Sequence, residues 1–318
     1  MALLQKQVCI AMRDAHYNKH SGLQHAAMSR GLKLIPELAD NSVEFVRRIL
    51  NSVSDGTAVE ILLEDTPFND FSSLSKTLHA EIDQPFTERQ VRLFPRMIPV
   101  GFYNRIVPNQ LVDLGVSWSS MNYLRTQPAF EFSLQSTAAD FAAEKHEAFS
   151  STAHQDLISF MTLRASEIRE GGCLVAALGA QKPALEANYE RTIEEVEKVL
   201  HMPSISKFWS AEVLEPELIE HPAWAEYQAT CESAGTDQVK KENARREYAQ
   251  SAILNLVSSS GWFWLDILKT HRGPRWDGGD DFLENLVQDS VQEWIKNFPN
   301  LKMETWYIYL RARRHADD

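Results

Sequence analysis

Cysteine is scarce in this chain: Cys9, Cys173 and Cys231 are the only three in 318 residues. None has a neighbour at disulfide-framework or zinc spacing, so a reducing compartment is the expectation. Surplus basic charge is lacking too. Against 44 Asp and Glu stand 32 Lys and Arg, a net charge of -12, which gives no field to draw a phosphate backbone and excludes nucleic acid as a partner. No apolar run reaches the roughly 18 residues a membrane-spanning helix needs. The opening MALLQKQVCIAMRD carries neither a basic lead nor a cleavage site, so no membrane partner is expected and the cytoplasm is the default location. No Gly-x-Gly-x-x-Gly follows an expected strand, which argues against a dinucleotide oxidoreductase. His16, His20 and His25 are close in sequence but lack an acid or thiol at ligand spacing, so no metal is predicted.

What is present is ordinary soluble globular composition, 44% apolar and 24% charged. DNSVEFVRRIL (40–50) predicts a capped helix with Val43, Val46 and Leu50 on one face. AVEILL (58–63) reads as a short buried strand that ends in Glu64 and Asp65, an acid delivered to the edge where open α/β sheets bind ligands. VDLGVSWSS (112–120) is a second strand candidate. A capping box at Thr152 and Gln155 predicts a helix with Leu157, Phe160 and Ile168 on neighbouring turns, closed by Gly171-Gly172 and followed by a strand over Cys173 to Leu178. Arg164 and Glu167 are expected to pair locally on its surface. Residues 181 to about 255 are rich in Glu and Ala and broken by Pro203, Pro216 and Pro222, which predicts a helical cap rather than sheet. DFLENLVQDSVQEWIKN (281–297) predicts an amphipathic helix and METWYIYLRARR a late strand. The expected class is α/β: a core over 1–180, a mostly helical cap over 181–275, and a helix and strand over 276–318 that return to the core.

Five stretches in order, HYNKHSGLQ (16–24), LEDTPFNDFSSL (63–74), VGFYNRIVP (100–108), SWSSMNYL (117–124) and QDLISFMTLRASEIREGGCLV (155–175), resemble the SABATH methyltransferases. The resemblance covers nearly the whole chain. It implies a Rossmann-like class I methyltransferase sheet under a helical substrate cap, with S-adenosyl-L-methionine as cofactor. It further implies O-methylation of a small-molecule carboxylate, or of a ring nitrogen, in secondary metabolism; dimers among relatives make a homodimer an expectation. The family pattern also holds a glycine-rich loop, acidic-x-Gly-x-x-x-Gly-x-Asn-Ser, after its first strand. Here Ala39-Asp40 matches the loop's entry and Asn41-Ser42 its exit, with nothing between. LKLIPEL upstream contains Pro36, which cannot donate to a central ladder. The N-terminal part of the sheet is therefore expected to be truncated. Three consequences stay open, a rewired sheet, reliance on a partner or an unstable chain, and the alternative function is a non-catalytic methyltransferase-like protein or truncated gene product that has lost cofactor binding.

The resemblance also assigns residues. Tyr17, Asp40, Asp65, Gly101, Phe102 and Ser117 are the expected cofactor set. In it, Asp65 would accept from ribose hydroxyls, Gly101 leave its backbone open and Phe102 cover the adenine. Gln24, Trp118, Asn122 and Tyr123 are the expected acceptor set, with Asn122 and Tyr123 where relatives carry His and Trp. No catalytic side chain is expected, because a carboxylate is already nucleophilic and the chemistry asks mainly for in-line placement.

Overall fold

The computed structural model describes residues 22–32, 53–67, 71–72, 75–76, 92–126, 138–180, 191–272 and 279–316. The helix expected over 40–50, together with Tyr17 and Asp40, lies outside the described residues. The chain divides into two compact units, one of Met1–Ala26, Phe68–Gln84 and Glu220–Glu304, the other of Ala27–Pro67, Pro85–Ile219 and Thr305–Asp318.

The second unit holds two sheets. Strands β1 (Ala58–Asp65) and β2 (Arg92–Pro99) pair in parallel from Ala58 opposite Arg92 to Asp65 opposite Pro99. Strands β3 (Val112–Trp118), β4 (Ile168–Ala180), β5 (Trp209–Glu220) and β6 (Glu304–Arg314) form the other sheet, in the order β3-β4-β6-β5. β3 runs parallel to β4, and β6 antiparallel to it. Hydrogen bonds from His221 N–H to the Met303 carbonyl (3.0 Å) and from His315 N–H to the Phe208 carbonyl (2.8 Å) set β5 antiparallel to β6. Among the described residues no strand joins β1 to β3, so the sheet is split where the sequence predicts its first strand to be missing.

Helix α1 (Gly22–Leu32) precedes these strands, and α2 (Ala138–Glu167) leads into β4. Side chains alternate across β4 with the period of a strand. Leu174, Ala176 and Leu178 join Leu157, Phe160 and Met161 of α2 and Ile308 and Leu310 of β6 in the main core. Val175 faces the other way, toward Met28, Val116 and Trp118. On that face the Tyr309 hydroxyl donates to the Ala27 carbonyl (3.0 Å), and Arg30 bridges Glu215 (2.7 Å) and Glu217 of β5 while lying over the Tyr309 ring. Gly31 is there for space. A Cβ at this position would sit 2.9 Å from Cη2 of Trp118 and closer still to Cζ3.

Three expectations are corrected. Thr152 and Gln155 do not start a helix; they lie inside α2, because AADFAAEKHEAF upstream is rich in strong helix formers and nothing interrupts it. Gly171-Gly172 do not end a helix either. β4 begins at Ile168, and the glycines form a bulge where the register with β3 shifts, Gly171 at φ 73°. The region expected to be a mostly helical cap rather than sheet contains β5. It does carry helices: α3 (Ile193–Leu200), a one-turn helix Pro203–Ser206, α4 (Ala223–Ser233) and α5 (Gln238–Arg272). Pro216 in β5 is tolerated because β5 is an edge strand, and Pro95 in β2 for the same reason.

The first unit is built on α4, α5 and α6 (Gly279–Asn297). Ala249 and Ile253 of α5 meet Val287, Val291, Trp294 and Ile295 of α6, each set spaced by three or four residues as one helix face requires. Tyr248 stacks on Tyr227 at 5.5 Å, meets Trp224 edge-on, and accepts the Met303 N–H at 2.6 Å. None of the helices in the described residues is long and apolar enough to cross a membrane.

Candidate active site

The parallel strands β1, β2 and β3 each end in residues of the expected site. Asp65 closes β1. One of its carboxylate oxygens accepts the Thr66 N–H at 2.6 Å. Burial raises its pKa, with the Thr66 N–H pulling the other way. Glu64 precedes it on the opposite face of the strand. Its Oε1 is buried without a hydrogen-bond partner among the described residues. Burial first, and then the neighbouring Asp65 charge, push its pKa to about 7 against the attraction of Arg164.

Gly101 and Phe102 follow β2. A Cβ on Gly101 would meet nothing nearer than the Asn104 amide nitrogen at 4.0 Å, so the backbone there is open to a ligand. Phe102 leans on Tyr103 (4.4 Å between centroids) and edge-on against Phe160 (6.5 Å), partly buried in the main core. The loop that carries both is held by Arg164, whose guanidinium donates to the carbonyls of Phe102 (3.1 Å) and Asn104 (3.0 Å). Glu167 pairs with Arg164 at 2.7 Å and accepts the Ile106 N–H at 2.7 Å. Both side chains are almost wholly buried, 7% and 2% exposed, so the pair expected on the helix surface is an interior clamp.

The acceptor residues follow β3. Ser117 is buried, its hydroxyl 3.1 Å from that of Ser120. Trp118 lies against Val175 and Gly31. Ser119 takes the left-handed conformation (φ 56°, ψ 3°) and opens a single 3-10 turn, Ser120–Asn122. Asn122 accepts the Gly179 N–H through Oδ1 at 2.6 Å, which leaves its two amide hydrogens as donors on an exposed side chain. Tyr123 is 42% exposed, and its carbonyl accepts the Tyr103 hydroxyl at 2.7 Å. Gln24 sits on α1 with its Oε1 buried and without a hydrogen-bond partner among the described residues. The structure thus brings Phe102, Tyr103 and Tyr123 into one neighbourhood and Asn122 onto β4. It links Asp65 to neither by a hydrogen bond among the described residues.

Two contributors escape a reading by motif. Arg191, 4% exposed, donates to the carbonyls of Met121 and Ala153 and so ties the acceptor turn to α2. Its place was legible: Thr192 and Glu195 form a reciprocal capping box that starts α3 and sets Arg191 just outside it. Tyr307 on β6 accepts from the Ser119 hydroxyl at 3.1 Å. A separate cleft of about 250 Å³ is lined by Asn109, Gln110, Ser166, Phe208 and Arg314. Gln110 precedes β3 and Ser166 precedes β4, so it opens at the far end of the sheet from the acceptor turn.

The residues present fit the ribose end of an adenosyl cofactor. Asp65 has acceptor capacity to spare at a strand end, and the open backbone of Gly101 follows the neighbouring strand.

Comparison with known proteins follows the same lines. A family model described as SAM-dependent carboxyl methyltransferase matches residues 37–243. Methyltransferase LUC1 of Fusarium sp is 25% identical over 362 aligned positions, covering 94% of this chain and 95% of the relative. O-methyltransferase acrG of Aspergillus aculeatus is 25% identical over 370 positions, covering 95% and 96%. An alignment of 362 positions on a chain of 318 residues leaves at least 44 positions (362 less 318) where LUC1 has a residue and this chain has none. Among solved structures, loganic acid methyltransferase with SAH superposes with a TM-score of 0.58 at 15% identity, covering 99% of this chain and 95% of that one, which is a likeness of fold.

Proposed function

Since the chain belongs to the family of SAM-dependent carboxyl methyltransferases, an O-methyltransferase for a small carboxylic acid, we propose that it binds cofactor at the ends of β1 and β2 and acceptor at the turn after β3. In this reading Asp65 accepts from the ribose hydroxyls, the backbone at Gly101 lies along the adenosyl group, and Phe102 and Ser117 border it. Asp40 completes the cofactor set. Asn122 and Tyr123 donate to the acceptor carboxylate, and Trp118 backs them. The process it serves is secondary metabolism; a homodimer and a cytoplasmic location complete the reading.

Bound there, the cofactor would supply an electrophilic methyl group for the carboxylate oxygen and would leave as the neutral thioether. No proton has to move, so the side chains orient and exclude water. The observation that best supports the acceptor assignment is Asn122. Gly179 occupies its oxygen and leaves its amide hydrogens as donors on an exposed side chain, suited to a carboxylate.

Calorimetric titration with S-adenosylmethionine, followed by methyl transfer to a panel of acids, tests the reading. Micromolar binding, about -8 kcal/mol, and ester formation are the expected results. The split between β1 and β3 favours a second reading, a methyltransferase-like protein that has lost cofactor binding. Folded, monodisperse protein with no saturable heat decides for that one.

A further inference from the structure

We propose that Tyr307 is a positioning residue for the acceptor, holding through Ser119 the turn that presents Asn122 and Tyr123; the inference rests on the acceptor assignment above. Tyr307 is 2% exposed and stands opposite Gly179 in the β4–β6 register. That one rung of the sheet holds both ends of the turn. Gly179 N–H goes to Asn122 Oδ1 (2.6 Å), and the Tyr307 hydroxyl receives the Ser119 hydroxyl (3.1 Å).

Ser119 needs such a tether. A left-handed backbone costs a non-glycine residue about 1–2 kcal/mol, and it persists only where surrounding contacts over-determine it. Here they do. Ser119 N–H donates to the Ala177 carbonyl (2.9 Å), its own carbonyl accepts the Asn122 N–H (3.2 Å), and the Tyr123 N–H closes on the Ser120 carbonyl (3.1 Å). Arg191 and Tyr103 hold the carbonyls of Met121 and Tyr123 from the other side. The tethers grip backbone, the Ser119 hydroxyl and the side-chain oxygen of Asn122. The Asn122 amide hydrogens are left for a ligand.

Tyr307→Phe keeps the ring and removes the acceptor oxygen. The expected result is hydrogen exchange at the Asn122 and Tyr123 amides about threefold to tenfold faster, the factor that one lost hydrogen bond gives. Adding Ser119→Gly brings exchange back toward the wild-type rate, because glycine holds φ 56° without a tether. A merely structural loss would not be rescued this way. With S-adenosylmethionine and salicylate, benzoate or octanoate as probes, KM for the methylated acid rises by a similar factor and kcat stays within about twofold, the pattern of lost uniform binding. Unchanged exchange in Tyr307→Phe, or no restoration by Ser119→Gly, overturns the tether and leaves the acceptor assignment standing. Normal tether behaviour in a protein that methylates none of the acids overturns the assignment, and with it the positioning role.

Discussion

Gly31→Ala offers a sharp test of how α1 is docked, because two opposing effects are both large enough to measure. Alanine in a helix interior is favoured over glycine by about 1 kcal/mol. Against that, its Cβ would lie 2.9 Å or less from the Trp118 ring, well inside ordinary van der Waals distance. The ring cannot swing away cheaply, since Val175, Val116 and Met28 pack with it. Overpacking of this kind costs about 1–3 kcal/mol. The net expectation is a loss of up to about 2 kcal/mol, or as much as a few degrees of melting temperature in a chain this long. In a Trp118→Leu background the obstruction is gone, so the same Gly31→Ala change becomes stabilising by about 0.5–1 kcal/mol. Circular dichroism melts of the four proteins of this cycle suffice. A reversal of sign supports the packing described; a stabilising Gly31→Ala in the wild-type background refutes it.

Other expectations follow from the site. Glu64 has its pKa raised from 4.5 to about 7, so folding favours its protonated form: the associated stability is complete below about pH 4.5 and is lost as pH rises through about 7. The full shift is worth about 3 kcal/mol, which solvent at the exposed part of the side chain reduces to about 1–2 kcal/mol; denaturation between pH 4 and 8 shows this slope, and Glu64→Gln removes it. Arg164→Met leaves Glu167 charged, buried and alone, costing about 3–5 kcal/mol, and Arg164→Met with Glu167→Met recovers most of it; urea titrations in which the double variant is no better than the single contradict the clamp. Asp65→Asn weakens S-adenosylmethionine binding by about tenfold to a hundredfold, as expected for a hydrogen bond to a charged acceptor. Calorimetry that finds equal affinity removes Asp65 from the cofactor site.

The parts of the fold that were legible in sequence are those decided by local pattern. AVEILL, VDLGVSW and METWYIYLRARR are β-rich runs bounded by polar residues, and each is a strand. The missing first strand was visible as an absence beside Asp40 and reappears as a split sheet. One strand was misread: Pro216 argues against a ladder, yet β5 is an edge among the described strands, where proline is tolerated. A sequence does not say which strand lies at an edge. The grip on the acceptor turn was hidden for another reason. Ser119 finds Tyr307 188 positions away, and Met121 finds Arg191 70 away, so nothing near SWSSMNYL announces what holds it. Gly31 is the surface on which Trp118 rests, a role that only the distant partner reveals.

The separation of β1 from β3 among the described residues has a consequence for handling the protein. Ile61, Leu62 and Leu63 of β1 are only half covered, and β1 has a strand partner on one side alone among the described residues. Such an edge recruits whatever extended chain is nearby, including another molecule of the same kind. Solubility, more than melting temperature, then sets the working range of the protein, and cofactor or acid added early will be judged first by whether it keeps concentrated samples clear.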